Sequence, residues 1–308
     1  MILVTGANGF VGRHVVRELL TQGRRVRALV RDAAGAAVLD GLECELARGD
    51  VTDRESLREA LTGVETVVHL VAIIHGRPSD FERVMVHGTE NVISAAKEAG
   101  VARFIYVSAL GTTAASSGAV PYYGAKWRCE EAVAASELEF AILRPSFIFG
   151  ADGGALPRFV RIARLAPVTP VVRPGTQKLQ PIWVDDVARA VALAVSAEQE
   201  GPTELGGPDV VDWNGLWSAI KQALGTRRPA LHVPAALIRP AAFLLERLPD
   251  PPVTRDQLTM LRLGDNVVSD GGRGMELLGL GALVPLDEQL RRATEPAQSD
   301  GAGPPATT

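Results

Sequence analysis

"VTGANGFVG", residues Val4–Gly12, lies almost at the start of the chain, and its reading decides the fold. Glycines recur at Gly6, Gly9 and Gly12, three residues apart. The apolar run "MILVT" (Met1–Thr5) precedes them as a buried strand. "VGRHVVRELLTQG" (Val11–Gly23) follows as an amphipathic helix closed by Gly23. A tight strand-to-helix turn needs backbone angles that glycine tolerates. A pyrophosphate needs close approach to backbone N–H groups, which side chains obstruct. The helix N-terminus adds unpaired N–H donors and a partial positive charge. Gly12 lets the helix pack closely on the strand. A plain glycine turn is the alternative, but a strand before and a helix after favour a nucleotide site built from Gly6, Asn8, Gly9, Phe10, Val11 and Gly12.

The alternation continues downstream. Strands are expected at Arg24–Val30, in "ECELARGD", and at Glu65–Val71, Ala102–Ser108 and Phe140–Arg144. Between them, Thr52 and Glu55 read as a capping box for a helix through Leu61. Ser79 and Glu82 read as another, opening a helix to about Ala99. A further helix is expected from Tyr122 to Ala135. Such apolar strands separated by helices belong in a parallel sheet covered on both faces. The expected fold is α/β, a Rossmann-type doubly wound parallel sheet with a smaller mixed α/β C-terminal lobe.

Past Gly150 the pattern loosens and prolines cluster at 157, 167, 170, 174 and 181. Helices are expected near 156–165, 186–197 and 213–224. The expected division is a dinucleotide domain over 1–150, a small substrate or partner lobe over 151–292, and a disordered tail over 293–308. A helix near 184–197 is expected to pack back on the first domain.

The 308 residues are 46% hydrophobic, enough for a sizeable core. A net charge of −4 and a pI near 5.8 give no basic field for nucleic acid. Cys44 and Cys129 show no metal or disulfide spacing, which fits a reduced cytoplasmic compartment. No signal peptide is evident, and no run reaches the roughly 18 apolar residues of a membrane span. "AALIRPAAFLLERL" (Ala235–Leu248) is broken by Arg239, Pro240, Glu246 and Arg247 and reads as a buried or interfacial helix.

The second strand ends "ALVRD". An acidic group there bonds a ribose 2′-hydroxyl, whereas arginine accommodates a 2′-phosphate. Arg31 falls at the discriminating place, so NADP is favoured over NAD, and Asp32 complicates that choice. Asp50 and Val51 end the third strand and could flank adenine. Leu70, Val71 and Ala72 follow the fourth strand, where the middle of the cofactor would lie. His69 reads as wall, since no carboxylate pairs with it in the pattern.

"PYYGAKWRCEE" places Tyr122 and Lys126 four apart, on one helical face. A nearby cation favours a phenolate, so this Tyr could exchange a proton with a substrate oxygen while hydride moves. Lys126 could also hold the nicotinamide ribose. Tyr123 competes, being three residues from Lys126. Ser108 supplies a hydroxyl at the end of the fifth strand.

These motifs together resemble the short-chain dehydrogenase/reductase superfamily in its extended or atypical branch. "TGANGFVG" is similar to that branch's glycine motif, and Tyr122 and Lys126 fall on its Tyr-x-x-x-Lys motif. "FIYVSALG" (Phe104–Gly111) and "LRPSFIFG" (Leu143–Gly150, with Pro145) resemble its fifth and sixth strands. "VHGTENVISAAKEAGVARFIYVSALG", "QPIWVDDVARAV" and "TRDQLTMLRLGDNVV" resemble relatives of the nucleotide-binding accessory subunit of mitochondrial complex I. The resemblance implies NAD(P) on the Rossmann domain, with Tyr122, Lys126 and Pro145 among its contacts, and a second site shaped by the C-terminal lobe. The chain departs from many active relatives at one place: Ala109 follows Ser108 where they carry paired hydroxyl residues. Thr112 or Thr113 could substitute.

"GADGG" (150–154) is expected as a flexible loop able to close over substrate, and Asp185 or Asp186 as a helix N-cap. Two functions remain open: an NAD(P)-dependent oxidoreductase or epimerase, and a non-catalytic NADP(H)-binding assembly or regulatory protein. A small-molecule or quinone-like ligand, a homodimer, and peripheral membrane or protein-complex contact are further expectations.

Overall fold

The computed structural model describes residues 1–172, 174–198, 201–234, 236–238, 240, 246 and 254–295. Seven strands form its main sheet: β1 (Ile2–Thr5), β2 (Val26–Val30), β3 (Glu45–Arg48), β4 (Thr66–His69), β5 (Arg103–Val107), β6 (Glu139–Pro145) and β7 (Gly201–Leu205). Their order is β7-β6-β5-β4-β1-β2-β3, and every neighbouring pair is parallel. The chain reverses direction across the sheet between β1 and β4, the place where open α/β sheets bind ligands at their strand ends.

The inner strands are buried along their length because helices cover both faces. Their side chains alternate between two cores. Val4, Val68 and Ile105 face helices α1 (Phe10–Thr21) and α5 (Val184–Ala194), where Val15, Leu19, Val187 and Val191 pack. Leu3, Val67, Phe104 and Tyr106 face the opposite layer, built from α2 (residues 78–98) and α3 (Pro121–Ala134). There they meet Phe81, Met85, Ala125, Cys129 and Val133. A third core lies beyond the sheet among α4 (Leu156–Leu165), α6 (Trp213–Ala223) and α8 (Leu286–Thr294). Phe149, Trp183, Trp217 and Leu290 meet in it.

A local signal sets the end of α1. Gly23 adopts φ +71°, and its N–H and that of Arg24 close α1 onto Leu20 and Leu19 carbonyls. Elsewhere the structure corrects the expectations. The Thr52/Glu55 capping box does not form; Thr52 turns back to give its N–H and hydroxyl to Asp50, and only Leu57–Ala60 is helical. The helix to Glu98 opens at Pro78, with the Arg77 N–H donating to Asp80 in place of a Ser79/Glu82 box. Its middle, Phe81–Val86, is wound as π-helix. Trp183, not Asp185 or Asp186, is the N-cap of α5.

Three stretches from beyond residue 150 join the first core. They are β7, α5 and the segment through α7 (Arg273–Leu277), which brings Met275, Leu278 and Leu280. β7 was not legible as a strand in "GPTEL". At the chain's end α8 runs through Thr294, past the expected start of the tail at 293. Residues beyond Glu295, and all of Ala235–Leu248 except 236–238, 240 and 246, lie outside the described residues.

Candidate functional site

The glycine turn is packed tightly between β1 and α1. Gly6 sits at φ +71°, and a Cβ there would meet the Leu70 and Val71 backbone at 3.2 Å. A Cβ on Gly12 would fall 2.1 Å from the Gly6 carbonyl oxygen, so only glycine lets the helix approach its own turn. The Gly9 N–H donates to Gly6 O at 3.0 Å, and Gly9 caps α1 with no side chain. The first N–H groups of α1 therefore have no side-chain cap. This cradle fits a pyrophosphate by its backbone alone.

The other nucleotide candidates lie around it. Val11 is half-buried against the first core. The Asn8 amide reaches Gly35, whose Cβ would stand 2.7 Å from it. Asp32 spends a carboxylate oxygen capping the short helix Ala33–Ala37, accepting the Gly35 N–H at 2.8 Å. Arg31 is exposed. Burial would raise the Asp50 pKa, but the Thr52 donors and the charges of Arg31 and Arg83 hold it below the usual carboxylate range. Val51 is buried, with its carbonyl taking the Asn91 amide at 2.9 Å. Leu70 and Val71 are half-buried beside Gly6, and Ala72 is exposed.

His69 is fully buried. Its Nδ1 lies 2.7 Å from the Thr5 hydroxyl and its Nε2 3.1 Å from that of Thr89. Burial, then the charge of Lys126, push its pKa down to about 3. The ring is a neutral internal strut and reaches no open face.

Tyr122 and Lys126 come together near the carboxyl end of β5, which Ser108 follows. Lys126 is 2% exposed and donates to the Val107 carbonyl at 2.7 Å, one residue before Ser108. Its Nζ is 6.0 Å from the Tyr122 ring centroid and 4.8 Å from that of Tyr106. Burial lowers the Lys126 pKa to about 8, against the opposing pull of Cys129 and Glu130. Burial, then Tyr123, raise the Tyr122 pKa, so its phenol is protonated. The Ser108 hydroxyl is buried without a hydrogen-bond partner among the described residues, and so is that of Thr112. Thr113 instead pairs with Ser116. The Tyr123 hydroxyl turns to the Leu110 carbonyl at 3.4 Å. Pro145 ends β6 beside this loop, its carbonyl taking the Leu110 N–H at 2.8 Å.

The 150–154 loop is held down over the start of α1. Cβ atoms on Gly150, Gly153 and Gly154 would stand 2.7, 2.2 and 2.9 Å from the Phe10 ring. Arg13 Nε donates to the Asp152 carboxylate at 3.1 Å. His14 sits between Asp152, at 3.2 Å, and Asp185, at 2.6 Å. Trp183 also donates to Asp185, at 3.0 Å. Arg13 and His14 carried no signal in the sequence, because they looked like the polar face of an ordinary amphipathic helix.

A family model described as NAD(P)H-binding matches residues 6–197. The chain is 34% identical over 253 residues to the ceramide reductase of Caulobacter vibrioides, covering 82% of this chain and 74% of that protein. It is 29% identical over 296 residues to NADH dehydrogenase [ubiquinone] 1 alpha subcomplex subunit 9 of Arabidopsis thaliana mitochondria, covering 90% and 73%. The crystal structure of gox2253 matches with a TM-score of 0.77 and 29% identity over 95% of this chain and 96% of that one.

Proposed function

The chain belongs to the NAD(P)H-binding family, and on that premise we propose that it is an NADP(H)-dependent reductase of a carbonyl on an apolar, lipid-like molecule. The observation that carries the proposal is the placing of Lys126 beside Tyr122 and on the Val107 carbonyl, one residue before Ser108. The NAD(P)-binding, oxidoreductase-like fold supports it, as does the ceramide reductase relative. The low aromatic content, 5%, offers few rings to stack on a sugar and suits an aliphatic substrate.

The residues divide the work as follows. Gly6, Gly9 and Gly12 admit the pyrophosphate to the α1 N-terminus, with Asn8, Phe10 and Val11 around it. Arg31 meets the 2′-phosphate, since the Asp32 carboxylate is engaged as a helix cap. Asp50 and Val51 border the adenine; Leu70, Val71, Ala72 and Pro145 line the middle and far end. When bound, the nicotinamide supplies a hydride to the carbonyl carbon. The carbonyl oxygen, as its π bond breaks, takes a proton from the Tyr122 phenol, which its raised pKa keeps protonated. Lys126 stabilises the phenolate left behind, and Ser108 donates to the same substrate oxygen.

A second function, nucleotide binding without turnover, is favoured by Ala109 and by the commitment of Lys126 to the Val107 carbonyl. NADPH oxidation against a panel of long-chain ketones separates the two. Turnover that falls at least about a hundredfold in Tyr122→Phe, with NADPH affinity unchanged, supports the reductase. Tight NADPH binding with no turnover on any ketone supports the second function and contradicts the first.

A further inference from the structure

A histidine outside the strand-end site stands between two carboxylates from distant parts of the chain. His14 Nδ1 lies 2.6 Å from Asp185 Oδ1, and its Nε2 lies 3.2 Å from each oxygen of Asp152. A neutral imidazole has one N–H and a lone pair on its other nitrogen; only the imidazolium donates from both. The two contacts together therefore call for the charged ring. A neutral ring keeps one carboxylate and turns a lone pair on the other. Asp185 is the one kept, because its contact is the shorter and the Trp183 N–H holds it in place at 3.0 Å. Asp152 is the one released.

The remaining charges around His14 are Arg13 and Arg17 on its own helix. Arg13 donates to the Asp152 carboxylate at 3.1 Å and to the Asp152 carbonyl at 2.8 Å. Burial would raise the Asp185 pKa, but the bond and charge of His14, the Trp183 N–H and the charge of Arg17 hold it below the usual carboxylate range. Arginines keep their charge throughout. Above the carboxylate range, the proton on His14 is thus the one that changes in this set.

Asp152 belongs to the 150–154 loop, whose glycines rest on the Phe10 ring. Phe10 is the first residue of α1, and its N–H is among the donors of the cradle that no side chain caps. The same ring stands edge-on to His14, with centroids 5.9 Å apart at 78°. Loop, ring and histidine form one layer over the first turn of α1. Gly150, Gly153 and Gly154, the last at φ +72°, flank Asp152 with backbone that can swing.

We propose that the 150–154 loop is a strap over the pyrophosphate cradle, closed by the proton on His14: the charged ring holds Asp152 and retains the dinucleotide, and the neutral ring releases Asp152 and speeds exchange. Dinucleotide release then follows pH across the range in which imidazole titrates. Arg13 supplies the part of the closure that pH does not change. The inference rests on the family's nucleotide site and needs no turnover.

The test uses the full chain with NADPH. Release is timed by stopped-flow fluorescence against excess NADP⁺ at pH 6 and pH 8.5. Hydrogen exchange of the loop amides is read at both pH values without nucleotide, corrected for the intrinsic effect of pH. The expected result is release about tenfold faster at pH 8.5 in wild type, with loop exchange rising in step. His14→Gln, which cannot change charge, loses most of that ratio, although every other titrating group, Lys126 included, is still present. Arg13→Met speeds release at both pH values and keeps the ratio. Should His14→Gln fail to fold, Asp152→Asn takes its place, with the same loss of ratio expected. Equal ratios in wild type and His14→Gln, or loop amides equally protected at both pH values, would overturn the proposal. Loop exchange that follows pH in a chain that binds no NADPH supports the clasp and overturns its role in retention.

Discussion

At the residue scale the decisive contrasts are between atoms that are engaged and atoms that are left over. Asp32 and Arg31 are adjacent, but one is a helix cap and the other is exposed. Arg31→Glu is therefore expected to weaken NADP⁺ binding about tenfold or more while leaving NAD⁺ affinity level or improved, measured by calorimetry with both nucleotides. Equal losses for both would contradict the assignment. His69 makes a different kind of prediction. The unfolded chain binds a proton at this ring near its ordinary 6.5, and the folded chain only near 3. Stability from this group is full above 6.5 and is lost as pH falls toward 3, on the order of 5 kcal/mol over the window. Urea unfolding at pH 7 and pH 4 should show a shallower acid loss in His69→Gln than in wild type. An identical loss in both would show that His69 is not the group that titrates. The glycine positions and the Tyr/Lys spacing were legible in the sequence because each follows from local geometry. Asn266 stood only in a segment of resemblance, since a carboxamide oxygen left unpaired among the described residues by long-range packing has no local signature.

At the element scale, the 150–154 loop, expected as a flexible loop able to close over substrate, is seated on the Phe10 ring. The reason is chemical: three glycines let the backbone lie flat on the ring, and Arg13 and His14 meet Asp152 from the same helix. Gly153→Ala places a Cβ 2.2 Å from that ring, and overpacking of this kind costs about 1–3 kcal/mol. Because Phe10→Ala removes the obstacle, the double variant should recover much of the loss. A coupling of at least about 0.5 kcal/mol in thermal unfolding is the expected outcome, and simple additivity would contradict the contact. The two capping boxes failed for a related reason. Thr52 found a better partner in Asp50, two residues back, and Pro78 supplied a helix start that Ser79 could not match. Spacing rules name what a local segment can do, and competing neighbours decide which option is taken.

At the scale of the whole molecule, the parallel doubly wound sheet was legible because buried strands and amphipathic helices alternate so regularly, and the family and its relatives agree with that reading. The seventh strand was not. "GPTEL" holds too few apolar residues to announce itself, and its place beside β6 comes from parallel pairing between segments about sixty residues apart. With β7, α5 and the α7 segment, residues from beyond position 150 pack into the first core with β1 and α1, on the sheet whose carboxyl strand ends lead to the glycine turn and the loop after β5. Those strand ends carry Ser108 and, from α3, Tyr122 and Lys126. In the proposed reaction hydride moves there. The direct measurement is isotope transfer: NADPH deuterated at the nicotinamide C4, incubated with the protein and a long-chain ketone, with the alcohol examined by mass spectrometry. Deuterium on the carbinol carbon in wild type, and its loss in Tyr122→Phe with nucleotide still bound, is the expected result. Bound NADPH with no deuterium transferred to any ketone, or transfer undiminished in Tyr122→Phe, would contradict it.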